Sequence, residues 1–99
     1  MKLGSWTVVS DDLELKYHYE LAKKRKGLDQ LPSSRRVMVR FTRDGDFTAV
    51  IAIALGQGFA GDAVASGVSK KSLQDNERPE VGATVAFGRA LVQLNNELF

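Results

Sequence analysis

The stretch from Arg78 to Phe99, RPEVGATVAFGRALVQLNNELF, constrains the fold more than any other. Val81, Val85, Gly88, Leu91, Leu94 and Leu98 recur at spacings of three and four, the period of one helix face. Ala83, Ala86, Phe87 and Ala90 widen that stripe. Pro79 suits the first turn, where its missing N–H would have no intrahelical partner. Glu77 and Glu80 lie near the positive end of the helix dipole. A helix that begins near Pro79 with so wide an apolar face must be covered, so the preceding residues have to supply a surface. Gly82 and Gly88 would each cost about 1 kcal/mol against alanine in a helix interior. Close approach of this helix to a sheet accounts for them.

The upstream residues read as strands. In Leu13–Leu21, LELKYHYEL, the residues Leu13, Leu15, Tyr17, Tyr19 and Leu21 alternate with polar ones. This pattern fits a half-buried strand, and it favours a β-hairpin of Trp6–Val9 with Leu13–Leu21 over a helix capped by Asp11 and Glu14. Lys23 to Arg35 lacks periodicity and reads as a long basic loop onto whose core side Leu28 and Leu31 can tuck. Arg36–Arg43 and Phe47–Leu55 form the next hairpin. A three-residue loop, Asp44 to Asp46, pairs Phe41 with Ala49, Val39 with Ile51 and Val37 with Ile53, which gathers the strongest apolar residues on one face. The two-residue Asp44-Gly45 loop would mix Arg40 into that face. Asp62–Ser69 is a weak edge strand, guarded by Lys70 and Lys71. The fold class is therefore α+β: an antiparallel sheet of about four to five strands with one long C-terminal helix packed across a face, in a single domain over residues 1–99.

Charge is unevenly placed. Residues 1–43 carry ten Lys/Arg and five Asp/Glu, whereas residues 44–99 carry four and seven. Lys23, Lys24, Arg25, Lys26, Arg35 and Arg36 are the candidate contact residues, because clustered cations attract a nucleic-acid backbone or an acidic partner. The remaining candidates point to structure rather than chemistry. The spacing G-x-G-x-x-G at Gly56–Gly61 follows a strand, but Ala63–Ser69 is too rich in glycine and β-branched residues to be the helix that a dinucleotide site requires. His18 is the single histidine and cysteine is absent, so a transition-metal site would have to rely on carboxylates, and His18 reads as a solvent-facing surface residue. Asp44 and Asp46 flank a turn glycine without the further ligands of a calcium loop. Arg89, among small residues, has three structural options: to snorkel to the surface, to pair with Glu80 or Asp75, or to close a polar contact against the sheet.

The final third carries a resemblance. Pro79-Glu80-Val81-Gly82, Val85-Ala86 and Gly88-Arg89-Ala90-Leu91 with Leu94 resemble the C-terminal helix of a small uncharacterised actinobacterial family, and small phage-encoded proteins have a comparable run. The resemblance implies a fold like that of the double-stranded-RNA-binding domain, with a helix across an antiparallel sheet. Such domains grip phosphates with lysines at the start of the last helix, where this chain has Glu77, Arg78, Pro79 and Glu80.

Taken together, these readings predict a small cytoplasmic, non-enzymatic accessory protein, of phage origin in one version of the resemblance. It would use no cofactor and act by contact with a protein partner, a second copy of itself included. The alternative is a nucleic-acid-binding module that uses the basic loop 23–36. No apolar run approaches the roughly 18 residues that cross a bilayer, which predicts no membrane association.

Overall fold

The computed structural model describes residues 3–56, 62–70 and 79–99. The predicted glycine-rich turn at 57–61, together with Lys71 and the polar approach at 73–78, lies outside them. Among the described residues, four strands, β1 (Thr7–Val8), β2 (Val37–Asp44), β3 (Phe47–Ala54) and β4 (Ala63–Lys70), form one antiparallel sheet in the order β1-β2-β3-β4. Two helices, α1 (Leu13–Lys26) and α2 (Pro79–Leu98), complete the α+β architecture. Helix α2 begins at Pro79, as its sequence predicts, and crosses β3 and β4; α1 packs beside it.

The predicted strand at Leu13–Leu21 is in fact the first half of α1, and β1 pairs instead with β2, through Thr7–Val39 and Val8–Met38. Local chemistry explains the correction. The Asp12 side chain caps the helix by accepting the Leu15 N–H at 3.1 Å. Glu14 sits in the first turn and Lys23, Lys24, Arg25 and Lys26 in the last, each matched to the dipole at its end. Gly27 closes the helix at φ 67°, a left-handed conformation that side chains resist. Only Leu15 and Tyr19, four residues apart, are buried from the alternating set; Leu13 is 85% exposed and Tyr17 63% exposed. The alternation is thus incidental to a helix whose covered stripe is narrow.

The β2–β3 hairpin is a second correction. Asp44 pairs with Phe47, so the loop is Gly45-Asp46 and not the three residues Asp44–Asp46. Gly45 takes φ 58°, which a tight two-residue connection demands. The register sets Val37 against Ala54, Val39 against Ala52 and Phe41 against Val50. Strand β2 faces the core as predicted, but β3 is turned over: Thr48, Val50, Ala52 and Ala54 are inside, while Phe47 and Ile51 are outside.

The reason lies in α2. A methyl group at Gly67 of β4 would overlap the backbone oxygen of Ala86 and stand 2.6 Å from the backbone nitrogen of Ala90. The helix therefore rides so close to the sheet that only small residues fit beneath it, which makes alanine, rather than isoleucine, the inward residue of β3. Gly82 serves the same approach, since a methyl there would meet Ser69 Oγ and Thr48 Oγ1 at 3.3 Å. Gly88 does not: it faces Lys26 of α1. The remaining core joins Val9, Leu15, Tyr19, Leu28, Leu31, Phe41, Phe87, Leu91 and Leu94. Phe87 is its hub, stacked on Tyr19 at 6.5 Å and edge-on to Phe41 at 6.1 Å.

Candidate functional site

The six basic residues singled out in the sequence do not form one loop. Lys23, Lys24, Arg25 and Lys26 are the last turn of α1, whereas Arg35 and Arg36 lie in the short 3-10 turn Ser34–Arg36 that leads into β2. The segment between them is tied down. Leu28 and Leu31 are buried, and the Tyr19 hydroxyl donates to the Pro32 carbonyl. Burial first, and the neighbouring Glu20 carboxylate second, hold the Tyr19 phenol well above its usual range, so it keeps its proton and the bond.

The cations then divide by role. Lys23 places Nζ 5.5 Å from the centre of the Tyr19 ring. Arg36 donates to the Leu55 carbonyl at 2.9 Å and fastens the end of β3. Arg25 and Lys26 line a groove between α1 and α2, and Lys24 and Arg35 are exposed. No ion pair involving these residues forms among the described residues.

Sequence reasoning missed a second surface, the outer face of the sheet. The register puts Val8, Met38, Ile53 and Val64 in one row; Arg40, Ile51 and Ser66 in the next; then Thr42, Ala49 and Val68; then Asp44, Phe47 and Lys70. Phe47 and Val68 are each 48% exposed and Val64 is 56% exposed. Trp6, just before β1, is also exposed. Arg40 is the charge nearest the middle of this face, and Lys70 folds its ammonium over the Phe47 ring at 5.7 Å. The available signal was the run of small residues at every second position of β4, Ala63, Ala65, Gly67 and Ser69, which marks the side a helix covers.

The β4 edge, in contrast, is partly occupied. Arg89 of α2 donates to the Val68 carbonyl at 2.7 Å, and the Gln93 side chain accepts the Ser66 N–H at 3.0 Å. One helix turn apart, the two side chains occupy backbone groups that would otherwise recruit another strand. Of the options the sequence left open for Arg89, the described contact is the one against the sheet.

His18 is half-buried and meets Tyr17 edge-on at 5.4 Å; Asp44 and Asp46 are exposed at the hairpin tip. No group of three or more His, Cys, Asp or Glu stands close enough to hold a metal among the described residues. Nor, among the same residues, is any helix long and apolar enough to cross a membrane.

Fold and surface thus define a small α+β domain whose sheet has one helix-covered face and one open apolar face. The chain belongs to the Rv2632c-like family, whose model matches residues 34–99 and so takes in the whole of β2, β3, β4 and α2. None of the curated proteins and none of the solved structures matches the chain.

Proposed function

We propose that the chain is a non-enzymatic accessory protein that works by holding a protein partner on the open face of its sheet. The observation that carries the reading is the outward set Phe47, Ile51, Val64 and Val68, exposed together on a regular, hydrogen-bonded platform. Eight-residue strands are about 27 Å long, and three of them side by side span about 15 Å. The whole face is thus on the order of 400 Å², shared by these apolar residues with Arg40, Thr42, Ser66 and Lys70, and contiguous exposed apolar surface rimmed by polar residues is the usual mark of an interaction site. Arg40 adds specificity: a partner that covers this face must set a carboxylate or a carbonyl against the guanidinium, because a buried unpaired charge is costly. A cysteine-free sequence suits a cytoplasmic setting for this contact. Affinity capture from host lysate, with and without nuclease, tests the reading. Wild-type protein should retain a partner protein that an I51E/V64E variant loses, whatever the nuclease does. Equal retention by the two would sink it.

One observation favours a second reading, nucleic-acid binding: Lys24, Arg25, Lys26 and Arg35 are exposed and form no ion pair among the described residues. The order of one helix, three long strands and a second helix supports kinship with the double-stranded-RNA-binding fold. Retention on heparin that declines steeply with salt, and that disappears when Lys23–Lys26 are replaced by alanine, is the expected behaviour. A chain that passes through heparin unretained at low salt would exclude this reading.

A further inference from the structure

We infer that the groove between α1 and α2 is a binding site for a small organic anion with an apolar body, such as a medium-chain carboxylate. This goes beyond the partner surface, which lies on the other side of the sheet. The groove is open to solvent along one side and holds about 280 Å³, just below the usual volume of ligand-sized cavities. Its walls are apolar. Leu21 and Ala22 come from α1, and Val85, the Phe87 backing and the bare backbone of Gly88 come from α2.

Among the described residues, the polar side chains that line it are of one sign or neutral: Arg25, Lys26 and Arg89 stand at the groove, with His18 and Thr84 beside them, and none of these described lining residues is a carboxylate. Arg25 and Lys26 form no ion pair among the described residues. Arg89 gives one N–H to the Val68 carbonyl, and a guanidinium has four more to offer. Gly88 leaves room for this placement of Lys26, since a side chain there would begin 2.9 Å from the ammonium nitrogen and the lysine would have to swing aside. With glycine in place, that ammonium lies directly over the groove floor.

Apolar walls favour a hydrocarbon or aryl body, which removes water from both surfaces. Cations at the rim add charge-assisted hydrogen bonds to an anionic head, stronger than those to a neutral one. A neutral amphiphile would lose that contribution, and a cationic one would meet repulsion from three like charges. The site therefore selects by head-group charge as well as by chain.

The test uses the intact chain, isotopically labelled, with octanoate, octanol and octyltrimethylammonium as probes that share one alkyl length. At neutral pH, octanoate should shift the amide signals of Leu21, Val85 and Gly88 saturably, octanol should bind at least about tenfold more weakly, and the ammonium should produce no saturable shift. R25E/K26E should weaken octanoate binding by about tenfold or more, while Lys26→Arg should retain it. A Val85→Asp variant, half-exposed and so tolerable to the fold, should abolish it. Thermal unfolding of each variant checks that the chain is folded. The inference is overturned if octanoate and octanol bind alike, if the charge-reversed variant binds octanoate as wild type does, or if the shifts appear at Ile51 and Val64 instead.

Discussion

The two faces of the sheet are both apolar, but they are built from residues of different size. Along β4 the helix-covered side carries Ala63, Ala65, Gly67 and Ser69, whereas the open side carries Val64, Ser66, Val68 and Lys70. Along β3 the covered side has Thr48, Val50, Ala52 and Ala54, and the open side has Phe47, Ala49, Ile51 and Ile53. In these two strands the largest side chains are outer ones. Hydrophobicity alone would put them inside, because each buried methylene contributes about 0.8 kcal/mol. The sheet instead gains its contacts from a helix backbone laid almost directly upon it, and bulk is confined to the flank where Phe41, Phe87, Leu91 and Leu94 interlock. A face lined with small residues is here the sign of a close neighbour, whereas the larger residues of the other face are left exposed.

The largest expected effect comes from removing the hub of the covered side. Phe87→Ala should cost about 4 kcal/mol in urea unfolding, a large share of the stability of a domain this size, because both Tyr19 and Phe41 lose their ring partner. Adding bulk to the same side should be nearly as damaging. Gly67→Ala forces a methyl into the α2 backbone, which cannot yield as a side chain would, and about 3 kcal/mol is the expected loss. Ser66→Ala, one residue along and on the outer face, should change stability by less than about 0.5 kcal/mol. Equal effects at the two positions would break the contrast between the faces.

The same contrast marks what the sequence could reveal. Helix α2 was legible because Leu91 and Leu94 repeat with its period and Pro79 marks its start. Strands β2, β3 and β4 were legible in position because they are β-rich runs bounded by glycine and charge. The facing of β3 was not, since Ala52 against Ala54 looks inferior to Ile51 against Ile53 until the depth of α2 is known, and that depth is a long-range property of Gly67 and Ala86. Helix α1 was hidden for a related reason. It buries only Leu15 and Tyr19, so its amphipathic signal is faint and its identity rests on Asp12 and Gly27 at its ends. Of the site, the basic residues could be named but not placed: Arg36 belongs to the scaffold and Arg25 to a groove, a division set by tertiary contacts.

Tyr19 gives a smaller effect with a distinct signature. Tyr19→Phe keeps the ring in the covered core but removes the bond to the Pro32 carbonyl, for an expected loss of about 1 kcal/mol. The pH dependence follows from burial. The phenol is raised above its ordinary value of 10.0, so the stabilisation is fully present below that pH. It declines as pH rises further, because the unfolded chain then releases a proton that the folded chain retains. Tyr19→Phe should flatten the part of the alkaline decline that this group causes, as read by thermal unfolding from neutral pH to the alkaline limit of the protein.

The smallest expected change in stability falls on the open face, and it is the most informative about function. Ile51→Ser replaces an outward side chain beside Arg40 and should shift unfolding by no more than about 0.5 kcal/mol. At a partner interface the same change removes a central apolar anchor, and losses of about 2 kcal/mol or more in binding are usual for such positions. Val50→Ser, its inward neighbour, should do the reverse and lower stability by more than it alters partner binding. If Ile51→Ser proved as destabilising as Val50→Ser, the outer face would already be covered in solution. A dependence of the unfolding midpoint on protein concentration would then identify a second copy of the chain as its cover.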